Sequence, residues 1–190
     1  ARGEGLALRM FARRNKEGAV PRTPRGQRAY VIGDVHGRLD LLDRLLGKLE
    51  ADWRARPARK TILVFLGDLI DRGPDSRGVI ERLRTYRPEG IRTYFLVGNH
   101  EEVLLRLLRR ERGILSRWLK FGGAECLASY GLDPALLEQG NEGSALAAIK
   151  QVIPEEHARF IEGFADTLSF GDYLFVHAGI RPGVELPLQT

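Results

Sequence analysis

Hydrophobic and polar positions along the chain follow two different periods. Four short runs rich in β-branched and aromatic residues predict buried strands at residues 29–32, 61–66, 93–97 and 173–176. Between these runs, apolar residues recur every three or four positions, which predicts helices with one side facing the core. The helical positions are Leu39, Leu42, Leu45, Leu46 and Leu49, then Val79, Ile80 and Leu83, and then Val103, Leu104, Leu107 and Leu108. This alternation of strands and helices predicts an α/β fold.

Residues 113–165 carry a helical pattern that glycine and proline interrupt. The breaks fall at Gly122-Gly123, Gly131, Gly140 and Pro154. We expect this segment to form a helical excursion over one edge of the sheet. His157 stands in a strongly charged stretch of the excursion, so we interpret it as an exposed residue of a surface helix.

Length and composition indicate one globular domain. The chain has 190 residues, of which 43% are hydrophobic and 29% charged, and a core of this size folds without disulfides or a structural metal. The single cysteine, Cys126, suits a reducing compartment, so we predict a cytoplasmic protein. The longest apolar stretch, at 61–70, is too short to span a bilayer.

Positive charge is concentrated at the start of the chain. The first 28 residues hold eight Lys or Arg and two Glu, whereas the remainder holds 22 basic and 23 acidic residues. We interpret residues 1–27 as a solvated basic leader and residues 28–190 as the folded domain. The leader contains prolines and lacks the repeated aromatic residues of nucleic-acid-binding tails, so a nucleic-acid partner is not expected. We expect deletion of residues 1–26 to leave catalysis intact.

A polar turn follows each predicted strand. The turns are Gly33-Asp34-Val35-His36-Gly37, Gly67-Asp68-Leu69-Ile70-Asp71-Arg72-Gly73, Gly98-Asn99-His100-Glu101 and His177-Ala178-Gly179. Ligands of open α/β sheets bind at the carboxyl ends of the strands, so we expect these side chains to converge. Oxygen and nitrogen donors without a thiolate are typical of Mn, Fe or Zn sites.

Each of these residues also has a purely structural interpretation. Asp34 and Asn99 precede helices and could be N-caps. Glu101 in a first helical turn could serve only the helix dipole, and Asp71 could form a surface ion pair with Arg72. None of these interpretations explains why three of the four histidines follow strands.

The order and spacing of the motifs resemble those of a known family. Gly-Asp-x-His-Gly, Gly-Asp-x-x-Asp-Arg-Gly and Gly-Asn-His-Glu, followed by His-Ala-Gly, are similar to the signature of the phosphoprotein phosphatase branch of the calcineurin-like metallophosphoesterases, of the bacterial serine/threonine protein phosphatase type. The resemblance covers residues 30–183. It implies a four-layer α/β fold, classed as α+β in some schemes, in which two mixed β-sheets are flanked by helices.

The resemblance also implies a role for each motif residue. Two divalent metal ions, with Mn²⁺ ahead of Fe or Zn, would activate a bridging hydroxide that attacks phosphorus. The implied metal ligands are Asp34 and His36 for the first ion, Asp68 as the bridge, and Asn99 and His177 for the second ion. His100 would protonate the leaving group as general acid with Asp71 as its partner, and Arg72 would bind the substrate phosphate.

One part of the family pattern is missing from this sequence. Family members supply a further metal-binding histidine and a further arginine after His-Ala-Gly, but no histidine follows His177 here. We therefore expect the chain to lack the C-terminal segment of the complete domain.

Three functions are compatible with these observations. The leading expectation is a metal-dependent hydrolase that removes phosphate from serine or threonine in proteins, with a phosphorylated protein or a small phosphoester as its partner. A symmetrical dinucleoside tetraphosphate hydrolase is the alternative, and it would need an aromatic stacking pocket. Trp118, Phe121 and Tyr130 are candidates for that pocket, although core packing could account for all three. A non-catalytic metal-binding or interaction module is the second alternative, because the C-terminal ligands are missing.

Overall fold

The structure is a computed structural model that describes residues 20–138 and 141–189. Most of the basic leader lies outside the described residues, so its interpretation stays a prediction. Among the described residues, no helix combines the length and the apolar character that are needed to cross a bilayer.

A three-stranded parallel sheet forms the centre of the described chain. Its strands are β1 (Gln27–Ile32), β2 (Lys60–Phe65) and β3 (Ile91–Phe95), and they lie in the order β1-β2-β3. Helices α1 (Leu39–Ala55) and α2 (Ser76–Thr85) connect them. Ile32, Phe65 and Phe95 are paired in register, so the turns that follow all three strands meet at one edge of the sheet.

Helices fill the chain between β3 and the last two strands. They are α3 (Asn99–Leu108), α4 (Leu115–Trp118), a kinked π-helical turn (Leu119–Gly123), α5 (Ala124–Ser129), α6 (Ala135–Glu138), α7 (Glu142–Val152) and α8 (Glu155–Glu162). The kink lies at Phe121 and Gly122, whose backbone angles are not helical. This kink allows the chain to turn back towards the sheet.

An antiparallel hairpin closes the described fold. It consists of β4 (Thr167–Phe170) and β5 (Tyr173–Val176) and is followed by a 3₁₀ turn (Leu186–Leu188). Strand β5 is the fourth predicted apolar run, whereas β4 was not predicted, because Thr-Leu-Ser-Phe is short and alternates apolar with polar residues. A bridge between Leu96 and Ala165 joins the segment before the hairpin to the end of β3.

Strand β2 is buried on both faces and separates two cores. Leu63 and Phe65 face the main core under the helices, whereas Ile62 and Val64 face a smaller core that includes Phe170 of the hairpin. Successive side chains of a strand point to opposite faces, so a continuous apolar run such as β2 needs cover on both sides. The helices cover one side, and the β4–β5 hairpin covers the other.

The interpretation of His157 as an exposed helix residue is wrong. Its side chain is buried on α8, where Nδ1 lies 2.9 Å from the Tyr130 hydroxyl and Nε2 lies 3.0 Å from a carboxylate oxygen of Glu81. The charged neighbours in sequence point to solvent, but the helical period places His157 on the inner side beside Ile161. These contacts tie α8 to α2 and α5.

Candidate active site at the strand ends

The turns after β1 and β2 are bound directly to each other. The backbone N–H groups of Val35 and His36 both donate to the Asp68 carbonyl, at 3.0 and 2.9 Å. His36, Asp68, Asp71 and Arg72 adopt φ angles of 45°, 52°, 71° and 65°, a left-handed region that costs free energy for residues other than glycine. The surrounding hydrogen bonds hold these strained turns in place, and such strain is characteristic of functional sites.

Glu101 connects the turn after β2 with the turn after β3. Its carboxylate is fully buried and accepts backbone N–H groups from Asp68 and Leu69, both at 2.8 Å, and from Gly98 at 3.0 Å. Burial raises the pKa of this carboxyl group, against the effect of these donors. The helix-dipole interpretation missed this role, because the partners on the second turn lie more than thirty positions away in sequence.

The first group of candidate metal ligands surrounds His36. Its Nδ1 donates to the Ile70 carbonyl at 2.9 Å, which leaves the lone pair of Nε2 directed into the site. That Nε2 lies 3.7 Å from an oxygen of Asp34 and 3.8 Å from Oδ2 of Asp68. Within the described residues, this buried nitrogen has no hydrogen-bond partner. An unpartnered imidazole nitrogen facing two carboxylates is what a cation site requires.

The second group surrounds His177, just after β5. Its Nδ1 donates to the Leu66 carbonyl at 2.8 Å, so the other nitrogen again faces the site. Nε2 lies 3.1 Å from Oδ1 of Asn99 and 3.4 Å from Oδ1 of Asp68. Two oxygen acceptors and an imidazole lone pair at this separation repel one another unless a proton or a cation lies between them.

Asp68 belongs to both groups. Its Oδ2 faces His36 and its Oδ1 faces His177, and the ligand atoms of Asp34, Asp68 and His177 lie within 4.8 Å of one another. The donor set is imidazole, carboxylate and amide oxygen, which suits Mn²⁺, Fe or Zn²⁺. These residues therefore fit divalent cations, with one carboxylate available to two ions.

The capping interpretation of Asp34 and Asn99 is wrong. Helix α1 begins at Leu39 with Arg38 as its N-cap, and the N-cap of α3 is Gly98. Both side chains are therefore free to point into the site instead of binding the ends of their helices.

His100 and Asp71 form a buried hydrogen-bonded pair beside the ligand groups. Nδ1 of His100 lies 2.6 Å from Oδ2 of Asp71, and Asp71 is fully buried, which excludes the surface ion pair. This hydrogen bond raises the pKa of His100, against the opposing effect of burial. Nε2 of His100 lies 3.3 Å from the guanidinium of Arg72 and 3.9 Å from Oδ2 of Asp68.

An open pocket of about 460 Å³ adjoins this pair. Its lining residues are Arg72, Asn99, His100, Val103, Arg106, Ile114, Arg117, Trp118 and Phe121. Of the three aromatic candidates, Phe121 is 55% exposed, whereas Trp118 and Tyr130 are buried. The Arg117 guanidinium lies 5.6 Å from the centre of the Phe121 ring, so the pocket presents an aromatic face and positive charge together.

The family model for calcineurin-like phosphoesterases matches residues 27–188. The chain belongs to this family. The match includes all four strand-end turns, and it confirms the metallophosphoesterase fold class expected from the motifs.

Relatives with two kinds of activity in their names are similar to the chain. A symmetrical bis(5'-nucleosyl)-tetraphosphatase of Klebsiella pneumoniae is 42% identical, over 80% of this chain and 56% of its own. An asymmetrical bis(5'-nucleosyl)-tetraphosphatase of Halalkalibacterium halodurans is 39% identical over the same shares. Serine/threonine-protein phosphatase 1 of Salmonella typhimurium is 36% identical, over 50% of this chain and 38% of its own. These relatives are enzymes of the phosphoprotein phosphatase branch, which is the branch that the motifs indicate.

The chain spans about half the length of these relatives, between 38% and 56%. A solved structure assigned as a candidate diadenosine tetraphosphatase superposes with a TM-score of 0.53 at 22% identity, over 87% of this chain and 60% of the other. At this level of identity the superposition supports the fold alone.

Proposed function

We propose that this chain carries the catalytic centre of a metal-dependent phosphoester hydrolase. The observation that carries the proposal is the position of Asp68. Its carboxylate is shared by the His36 and His177 ligand groups, and it also lies 3.9 Å from Nε2 of His100. The cation-binding carboxylate of Asp68 and the candidate proton donor His100 therefore lie close enough to act on the same phosphoester, as hydrolysis requires.

The strand-end residues would hold two divalent cations, with Mn²⁺ as the first candidate and Fe or Zn as the others. The first ion would be held by Asp34, His36 and Asp68, and the second by Asp68, Asn99 and His177. When bound, such ions supply an activated water as nucleophile and neutralise charge on the phosphoryl oxygens. The backbone carbonyls of Ile70 and Leu66 already orient the imidazoles of His36 and His177 through their Nδ1 atoms.

His100 would act as the general acid. Asp71 holds the proton on Nδ1 and stabilises the imidazolium form, and the raised pKa keeps His100 able to donate from Nε2. Arg72 contacts that nitrogen in the structure at 3.3 Å. A guanidinium binds phosphoryl oxygens in preference to a neutral imidazole, so an arriving phosphoryl group would draw Arg72 away and free Nε2 for the leaving oxygen.

The pocket favours a dinucleoside tetraphosphate as substrate. Phe121 offers an exposed ring for stacking a base, and Arg117 supplies positive charge for phosphates beyond the scissile one, which Arg72 would bind. The relatives that match the larger share of the chain carry this activity in their names.

Phosphoserine or phosphothreonine in proteins is the second candidate substrate, and the Salmonella relative supports it. A non-catalytic module would need neither the buried His100–Asp71 pair nor Arg72.

Side-by-side hydrolysis assays test this proposal. The full-length protein, supplied with Mn²⁺, is assayed on diadenosine tetraphosphate, a phosphothreonine peptide and p-nitrophenyl phosphate. We expect Phe121→Ala to raise KM for diadenosine tetraphosphate several-fold and to leave p-nitrophenyl phosphate unaffected. Leu136→Ala, which truncates another exposed apolar side chain that is not among the lining residues of the pocket, is the matched control. Faster turnover of the peptide would favour the protein phosphatase. If none of the three substrates were hydrolysed, the proposed hydrolase function would be refuted.

A further inference from the structure

Trp118 binds the same carboxylate oxygen as the candidate general acid. Its indole N–H donates to Oδ2 of Asp71 at 2.7 Å, and that oxygen also accepts from Nδ1 of His100 at 2.6 Å. The Trp118 side chain is only 3% exposed, so water does not compete for this hydrogen bond. Asp71 thus receives one donor from α3 and another from the helical excursion.

Two consecutive glycines seat the excursion against the turn that carries Asp71. The Gly122 carbonyl accepts the backbone N–H of Arg72 at 3.1 Å, and a Cβ at Gly122 would collide with that same nitrogen. A Cβ at Gly123 would collide with the indole ring of Trp118. The close approach therefore depends on both glycines, and it fixes the indole N–H relative to Asp71.

We propose that Trp118 is a positioning residue for proton transfer by His100, acting through Asp71. This inference rests on the proposed hydrolase function. A carboxylate with a single strong partner can rotate about its side-chain bonds, whereas a second, rigid donor on the same oxygen restricts that rotation. The indole N–H also stabilises the negative charge on Oδ2 of Asp71. Trp118 thereby keeps Asp71 aligned with Nδ1 of His100 without contacting the leaving group itself.

The dependence on the leaving group tests this role. In Trp118→Phe, an aromatic six-membered ring is kept, and the pyrrole ring with its N–H donor is lost. We expect turnover of phenyl phosphate, a poor leaving group, to fall roughly 10- to 100-fold, the range seen for outer hydrogen-bond partners of site residues. The nitrophenolate of p-nitrophenyl phosphate scarcely needs a proton to leave. Turnover of this substrate should therefore change by less than about three-fold. Trp53→Phe, which alters the other tryptophan, near Tyr30, is the matched control. An equal loss on both substrates would indicate a merely structural role and overturn the proposal.

A double-mutant cycle tests whether Trp118 acts through Asp71. In an Asp71→Ala background, Trp118→Phe should cause no further loss of turnover on phenyl phosphate, and additive losses would contradict the proposal.

NMR supplies a readout that needs neither activity nor a folded Trp118 variant. The Trp118 indole N–H, assigned with Trp53→Phe, should be protected from exchange in the wild type and lose protection in Asp71→Ala. An unprotected signal in the wild type would overturn the proposal. A wild type that hydrolyses no phosphoester but shows the protected signal would refute the hydrolase function and not the hydrogen bond.

Discussion

Buried carboxylates organise the candidate site at the scale of single residues. Glu101 gathers backbone N–H groups from two turns, and Asp71 gathers side-chain donors from two helices. A buried carboxylate costs free energy unless donors bind it, so each of these acids also determines the positions of its donors. For Asp71, both donors among the described residues bind Oδ2, and Oδ1 has no partner there. Asp68, in contrast, faces lone pairs of His36 and His177, which is the arrangement of a ligand that needs a cation.

The first prediction concerns His100. His100→Asn should leave Mn²⁺ binding nearly unchanged and lower turnover roughly 10²- to 10⁴-fold, the usual contribution of a positioned general acid. The loss should shrink on p-nitrophenyl phosphate because nitrophenolate leaves without protonation. Isothermal titration calorimetry measures the metal, and steady-state assays measure turnover. A variant that loses a metal ion would identify His100 as a ligand instead of an acid.

The second prediction concerns Glu101. Glu101→Gln keeps the shape of the side chain but replaces one acceptor oxygen with an N–H₂ group that faces backbone donors. The free energy of unfolding should fall by about 1–3 kcal/mol, the cost of leaving buried donors unpaired, and Mn²⁺ binding should weaken because the Asp68 turn loosens. Glu102→Gln is the matched control, since that neighbouring side chain is exposed and pairs with Arg106 at the surface. Equal stability of the two variants in urea denaturation would contradict the role assigned to Glu101.

At the scale of elements, parallel register and a docked helical excursion bring the site together. The three parallel strands deliver their turns to one edge of the sheet, and β5 adds His177 from the hairpin on the other face of β2. The excursion then covers the turn that contains Asp71 and Arg72. The pocket beside His100 lies between α3 and this excursion, so the elements that align the acid also shape the substrate pocket.

The third prediction separates backbone strain from steric contact in the excursion. Gly122 and Gly131 have φ angles of 111° and 86°. A Cβ at Gly122 would collide with Arg72, whereas a Cβ at Gly131 would meet no atom of the described residues. Gly131→Ala should therefore cost about 1–2 kcal/mol of stability from its left-handed backbone and leave activity intact. Gly122→Ala should cost more and should also raise KM, because it displaces Arg72. Thermal unfolding and steady-state kinetics on p-nitrophenyl phosphate measure both effects. Similar kinetics for the two variants would contradict the docking argument.

Local patterns in the sequence predicted the elements with strong periodicity and the residues that stand at their ends. The turns after β1, β2 and β3 could be placed because a parallel sheet aligns the carboxyl ends of its strands. Strand β4 could not be predicted, since in the described part of the chain it pairs with β5 alone, and one of its four residues is buried. The contacts of His157, Glu101 and Trp118 depend on partners between 27 and 76 positions away, and no local period carries that information.

At the scale of the whole molecule, the segment that precedes the sheet is part of the folded structure. The Tyr173 hydroxyl donates to the Pro21 carbonyl at 3.1 Å, and Arg22 and Asp172 exchange hydrogen bonds at 3.0 and 3.1 Å. Residues 21–24 thereby hold the turn between β4 and β5. Because β5 leads directly to His177, this contact connects the start of the described chain to the second ligand group.

The fourth prediction follows from these contacts. It restricts the dispensable part of the leader to residues 1–19, instead of the residues 1–26 expected from the sequence. Deletion of residues 1–19 should leave the melting temperature and the turnover of p-nitrophenyl phosphate unchanged. Deletion of residues 1–26 should lower the melting temperature, since the hairpin loses its partners, and should weaken binding of the ion held by His177. Differential scanning fluorimetry with and without Mn²⁺ measures the stability of both deletion variants. Identical melting curves for the two deletions would show that residues 20–26 contribute nothing.

The fifth prediction tests whether one carboxylate serves two ions. Metal binding stabilises the folded state by about 2.7 kcal/mol when free Mn²⁺ is a hundred times its Kd, so chelation with EDTA should lower the melting temperature of the wild type. Calorimetry of the full-length protein should resolve two binding events. His36→Asn should remove one event and His177→Asn the other, because each imidazole faces a different oxygen of Asp68.

Asp68→Asn is the decisive variant in this series. Asparagine tolerates the left-handed φ of 52° at this position, so the turn should persist while the negative charge and one ligand oxygen are lost. Each ion would then lose the charged ligand that it shares with the other ion. The first ion would keep Asp34 and His36 and the second Asn99 and His177, and such reduced ligand sets bind Mn²⁺ weakly. We therefore expect both binding events to disappear together, with the melting temperature insensitive to EDTA. Asp166→Asn, at an exposed position, should behave as the wild type. If Asp68→Asn retained one tight site, Asp68 would belong to a single ion and the shared-carboxylate centre would be wrong.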